Sequence, residues 1–189
     1  MAQASKFADV IGALRNLEVS GRQLVVLIDG PAGAGKTTLA DIISTIFTSV
    51  TTVHMDDLYD GWNTPLNTDL YSRIQLQILK PQLNSESSSY EVYDWAKRSF
   101  QSKKQLPVRK ILVVEGVGSA GIENRKLADL IVFIDVSPEL GLNRVLKRDG
   151  LELSNEMQGW QVMETEHFEN DGTKRAADFV VDGSSELSN

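Results

Sequence analysis

Eight consecutive residues, Gly30-Pro31-Ala32-Gly33-Ala34-Gly35-Lys36-Thr37, carry the most specific chemistry in this chain. They match the spacing G-x-x-x-x-G-K-[ST] in full, and each residue type has a physical reason to be there. Glycines let the backbone curl so that successive N–H groups point inward at a phosphate. A helix starting at Lys36 adds the positive end of its dipole to the same anion. Lys36 then bridges the β- and γ-phosphates and the Thr37 hydroxyl takes Mg²⁺, with Gly30, Ala32, Gly33, Ala34, Gly35 and Thr38 completing the cradle. The expected ligands are ATP, or GTP, and Mg²⁺.

The fate of the triphosphate is set by the carboxylates and cations nearby. Val53-His54-Met55-Asp56-Asp57-Leu58-Tyr59 closes the β-rich run Val50–His54, at whose end a carboxylate can orient or deprotonate an acceptor hydroxyl. The alternative is that the two aspartates only cap a helix beginning near Leu58. Glu115, at the end of Ile111–Val114, is the favoured acid to anchor Mg²⁺, with Asp135 after Leu130–Ile134 as its rival. Arg144, Lys147 and Arg148 share one helix face and suit a lid that neutralises transferring phosphate charge. A guanine-reading N-K-x-D motif is absent, and the strand at 111–114 ends in one acid rather than two, which disfavours switch GTPases and mechanical ATPases. A phosphotransferase needs less: a phosphate loop, a base and a mobile basic lid.

These residues require particular elements to hold them. Leu24–Ile28, Val50–His54, Ile111–Val114 and Leu130–Ile134 are short and β-rich, with Phe179–Val181 as a fifth candidate strand. Several are apolar throughout, as strands buried on both faces of a parallel sheet are. Leu39, Ile42, Ile43, Ile46 and Phe47 recur at helical spacing between the first two. The alternation predicts an α/β domain with a mainly parallel five-stranded sheet, in which strand carboxyl ends open onto the active-site crevice. Residues 1–189 read as one domain, with an acceptor-binding insert at about 58–108 and a helical lid region at about 139–175. Within the insert, a helix is expected near 68–80 and a hairpin from Tyr90–Trp95 and Gln105–Val108. By strand alternation, His54 is expected to face away from the surroundings of Asp56 in a structural role. Trp160, Met163, His167 and Phe168 form a helical stripe of core type, with Glu164 a candidate to face the acceptor.

Composition bounds the remainder. With 19 basic and 26 acidic side chains the net charge is −7, which argues against a nucleic-acid partner. Cysteine is absent and only two histidines occur, so thiolate chemistry is excluded and a transition-metal site is not expected. The N-terminal stretch, with Phe7, Val10, Ile11 and Leu14 on one face, reads as an amphipathic helix rather than a secretory signal. No apolar run approaches the ~20 residues of a membrane span. The expectation is a cytoplasmic chain with no membrane partner, for which self-association stays open.

Together these motifs resemble the uridine kinase-like group of P-loop kinases, whose relatives include phosphoribulokinase and pantothenate kinase. Asp56-Asp57-Leu58-Tyr59 resembles the group's D-S-F-Y, Val92-Tyr93-Asp94-Trp95 its P-x-Y-D-F hairpin, Val114-Glu115-Gly116 its F-E-G, and Leu142–Asp149 its R-R-V-L-R-D lid. The resemblance implies a P-loop NTPase three-layer sandwich with a small hairpin and a helical lid. It also implies transfer of a phosphoryl group from ATP to a hydroxyl of a small molecule, of nucleoside type (uridine or cytidine) or a related metabolite. By the same resemblance Asp56 is the base, Lys36, Arg144 and Arg148 serve the transferred phosphate, and Tyr59, Tyr93 and Asp94 form the acceptor pocket. Arg98 stands where a base-contacting histidine is common, which equally suits an acidic or phosphorylated acceptor. The phosphate loop also resembles that of cytidylate kinases, so a nucleoside monophosphate kinase is the second enzymatic reading. A regulator that only binds or hydrolyses ATP is the non-kinase one.

Overall fold

Helix α1 (Phe7–Glu18) precedes strand β1 (Leu24–Asp29), helix α2 (Lys36–Ile46) and strand β2 (Val50–His54) in the computed structural model, which describes residues 5–18, 21–63 and 65–184. Helix α3 (Thr68–Arg73) runs through a π-helical turn, Ile74–Leu79, into α4 (Lys80–Leu83). The π register has a local cause. Pro81 has no N–H to give, and its ring would strike the carbonyl one α-turn earlier, whereas Lys80 N–H bonds five residues back to Gln75. Strands β3 (Ser88–Asp94) and β4 (Ser99–Leu106) form an antiparallel hairpin. Its second arm is therefore longer and earlier than the expected Gln105–Val108, because the polar run Ser99–Gln105 pairs with β3 in spite of its exposure. The chain continues through β5 (Ile111–Glu115), α5 (Ile122–Arg125), β6 (Leu130–Asp135), α6 (Pro138–Asp149), α7 (Ser154–Asp171), α8 (Thr173–Ala176) and β7 (Phe179–Asp182).

The five strands of the main sheet stand in the order β2-β5-β1-β6-β7, every neighbouring pair parallel. Every residue of β1 and β5 is buried, and successive side chains serve opposite faces. Leu24, Val26 and Ile28 meet Val10 and Leu14 of α1 and Leu39 and Ile43 of α2. Val25 and Leu27 face the other core, with Ile74 and Ile78 of the π turn, Val145 of α6 and Met157 and Trp160 of α7. The result is the α/β three-layer sandwich. The chain leaves β1 toward β5 and β2 on one side and reaches β6 and β7 on the other, so the order reverses at the carboxyl end of β1. A ligand crevice belongs at that switch point. Among the described residues, no helix is long and apolar enough to cross a membrane.

Candidate active site

β1 ends in Asp29, a fully buried carboxylate that accepts from the backbone N–H of Gly30 at 2.8 Å and of Gly118 and Ala120 at 2.9 Å. It ties the start of the phosphate loop to the segment after β5. Burial raises its pKa, and His167 together with the three N–H groups opposes that rise. The loop then turns through Gly30, Gly33 and Gly35, all at positive φ, into α2. Helix α6 packs on it backbone to backbone: a Cβ on Gly141 would lie 2.5 Å from the Ala32 carbonyl oxygen. Lys36 is buried, and its Nζ donates to the carbonyls of Gly30 and Pro31, each at 2.7 Å. Burial lowers its pKa, against the pull of Glu115, Asp29, Glu164 and Asp56.

Thr37 opens α2 with its hydroxyl donating to Glu115 Oε1 at 3.0 Å. Adjacency to β1 does not separate Glu115 from Asp135, because β5 and β6 both flank that strand. The side chains do: Asp135 pairs with Lys174 at 2.7 Å, while Glu115 lines the cavity beside Thr37. His54 departs from the expected orientation, with Nδ1 2.6 Å from the same Glu115 oxygen. The reason is the parallel register, which sets His54 opposite Glu115 at equal height. The contact raises the His54 pKa, partly offset by burial. A hydroxyl and a carboxylate are hard oxygen donors of the kind Mg²⁺ takes, and phosphate oxygens and water would supply its other ligands.

The acid pair after β2 divides. Asp57 turns to the hairpin, accepting from Tyr90 Oη at 2.9 Å and Lys104 Nζ at 3.2 Å. Asp56 lines the cavity, its pKa raised by burial and then by the Glu115 charge, with Lys36, Arg148 and His54 acting the other way. Tyr59 also lines it, but its hydroxyl donates to the Val117 carbonyl at 2.8 Å, and burial holds the phenol well above its ordinary pKa.

The hairpin presents different residues from those the resemblance assigned. Tyr93 packs between Trp95 and Phe100, each centroid 5.3 Å away. Asp94 accepts from the N–H groups of Ala96 and Lys97 at 3.0 Å, shaping the turn. Arg98 is exposed on that turn at φ 54°. None of the three lines the cavity; Trp95 and Ala96 do. A bulge between Val92 and Tyr93 shifts the register and re-aims the side chains beyond it. Trp95 Nε1 donates to the Asp56 carbonyl at 3.1 Å, its ring lies 4.9 Å from Trp62, and Trp62 lies 5.9 Å from Trp160. The chain's three tryptophans thus share one wall. Trp160 belongs to that wall as well as to the core, a role its helical spacing alone does not reveal.

On the lid side, Arg144 and Arg148 line the cavity and Lys147 is exposed outside it. Arg144 donates to the carbonyls of Gly33 at 3.3 Å and Gly183 at 2.6 Å, and Arg148 pairs with Asp149 through two 2.6 Å contacts. Glu164, only 4% exposed, accepts at Oε2 from Ala32 N–H and from Trp160 Nε1, both at 3.0 Å. The Gly30 side of the loop lies against β6, while Ala32 to Thr38 line the cavity, whose volume is about 960 Å³.

No protein-family model matches the chain. Uridine-cytidine kinase C of Dictyostelium discoideum is 29% identical over 137 residues, covering 68% of this chain and 30% of that relative, so the chain spans about a third of the relative's length. A possible uridine kinase from Bacillus stearothermophilus shares the fold with a TM-score of 0.62 at 21% identity, over 92% of this chain and all of that one. Shikimate kinase from Bacteroides thetaiotaomicron superposes with a TM-score of 0.51 at 14% identity, over 88% and 89% of the two chains.

Proposed function

Taking as premise that the chain belongs with the uridine kinase-like P-loop kinases, we propose that it transfers the γ-phosphoryl group of ATP to a hydroxyl of a small, ring-bearing acceptor of nucleoside type. The observation that carries this reading is the continuity of one cavity, whose lining holds Asp56 and the aromatic wall together with Lys36, Thr37 and Glu115. Donor phosphate and acceptor hydroxyl can meet there. In this reading the loop N–H groups and Lys36 hold the phosphates, and Thr37 with Glu115 holds Mg²⁺, which supplies charge neutralisation when bound. Asp56 accepts the hydroxyl proton as the new O–P bond forms and the bond to the β–γ bridging oxygen breaks, releasing ADP. Its raised pKa makes it a better base than an exposed aspartate. Arg144, Arg148 and the tryptophans cover the transferring group and exclude water, so that transfer outruns hydrolysis. The wall of Trp62, Trp95 and Trp160 supports a neutral ring over a phosphorylated acceptor, because Arg98, the cation suited to an anionic one, stands outside.

The test measures ADP release with and without a panel of nucleosides, vitamins and sugars. The expected result is turnover stimulated by one acceptor class and reduced at least about a hundredfold in Asp56→Asn, with nucleotide binding retained. Slow hydrolysis indifferent to every acceptor and to that substitution would return the chain to the class of nucleotide-dependent regulators.

A further inference from the structure

Glu164 does something the phosphotransfer reading does not use. It is a buried carboxylate midway along α7, and the one oxygen it engages is shared between a phosphate-loop N–H and the Trp160 indole. Ala32 stands four residues before Lys36, among the residues that line the cavity. The helix start and the N–H groups next to it suit the inner phosphates, which leaves the Ala32 end of the loop for the outermost one. Lys36, meanwhile, is turned onto the Gly30 and Pro31 carbonyls rather than onto this carboxylate. The Ala32 N–H is therefore already engaged by a carboxyl group that the chain itself provides.

We propose that Glu164 holds the Ala32 N–H in place of a terminal phosphate oxygen, and that a third phosphate displaces it and carries Trp160 along. Two anions cannot share that N–H away from water without strong repulsion, so one must leave. Trp160 packs edge-on against Tyr59 at 4.9 Å and against Trp62 at 5.9 Å. Trp62 in turn touches Trp95, which holds the Asp56 carbonyl. Displacement of Glu164 thus reaches the acceptor wall through contacts already in place. Glu164 is a positioning residue that reports the third phosphate. The inference rests on the cavity being a nucleoside triphosphate site, but not on the identity of the acceptor.

Because the chain's three tryptophans all line this wall, intrinsic fluorescence reads the event directly. The purified chain is titrated with a non-hydrolysable ATP analogue and with ADP, each with Mg²⁺. The analogue is expected to change the emission, and ADP to change it by less than half as much. Trp160→Phe is expected to abolish that difference. In Glu164→Gln the amide oxygen still accepts both hydrogen bonds but carries no charge. This variant is expected to favour the triphosphate over ADP by about tenfold more than the wild type does, the order of one charge-assisted hydrogen bond. If Glu164 is purely structural, Glu164→Gln leaves the triphosphate-to-diphosphate affinity ratio within twofold of wild type; that result overturns the proposal. So does an emission difference that survives Trp160→Phe, and this second measurement decides alone if Glu164→Gln does not fold. A folded wild type that binds neither nucleotide overturns the triphosphate-site reading itself, whereas binding without a Trp160-dependent signal overturns only the role of Glu164.

Discussion

Asp29, Asp56 and Glu164 are carboxylates at one end of the sheet, and loss of water is the largest cause of a raised pKa in each. For Glu164, the groups facing it are Lys36, which favours its charge as do the Ala32 and Trp160 N–H groups, and Asp29, which opposes it. A carboxyl whose folded pKa lies above its unfolded value binds more protons in the folded chain between those two values. Stability therefore falls as pH rises through that window and stays lowered above it. Glu164→Gln removes this contribution. The melting temperature of the variant minus that of the wild type should increase as pH rises from the ordinary glutamate range, then level off. A flat or falling difference would mean that Lys36 and the two donors outweigh burial. His54 makes a related point about legibility. Its alternation within β2 can be read from the chain, but its partner Glu115 lies 61 residues away, and no local pattern announces it.

Helix α6 meets the phosphate loop through Gly141 and Gly33, with no side chain between the two backbones. That close approach lets Arg144 reach the carbonyls of Gly33 and Gly183 and places Arg148 beside the cavity. Gly141→Ala should push α6 away from the loop, costing about 1–3 kcal/mol in denaturant unfolding and weakening nucleotide binding with it. Gly159 offers the control within α7, because nothing lies within 4 Å of a Cβ placed there. Gly159→Ala should stabilise by about 1 kcal/mol, the difference in helix propensity, with nucleotide affinity unchanged. Equal effects from the two alanines would remove the packing argument. Hairpin β3–β4 shows how one element can be recognised and still be aimed differently. The run Tyr90–Trp95 signals one arm of a hairpin, but the bulge after Val92 sends Trp95 rather than Arg98 toward the site.

Across the whole molecule, a net charge of −7 coexists with a cavity lined by Lys36, Arg144 and Arg148. Convergent cations and backbone N–H groups let an acidic surface enclose an anion that it would repel elsewhere. The chain should therefore pass through a heparin column at physiological salt and yet be stabilised by ATP. At a hundredfold excess over Kd that stabilisation is about 2.7 kcal/mol, or about 5–10 °C in melting temperature. Lys36→Ala should abolish it, and an unchanged shift would refute the phosphate-loop assignment. The loop motif, its flanking apolar strand and amphipathic helix, and the parallel α/β sandwich were all legible in the linear chain. They are set by glycine spacing and hydrophobic period, which act between neighbouring residues. Tertiary packing alone decided that Glu115 rather than Asp135 meets Thr37, that Asp56 rather than Asp57 faces the cavity, and that Glu164 reaches Ala32 from 132 residues away. Those outcomes depend on strand register, the tight turn Met55–Asp57 after β2 and the packing of α7 against the phosphate loop. Such quantities arise only when segments distant in sequence bury one another.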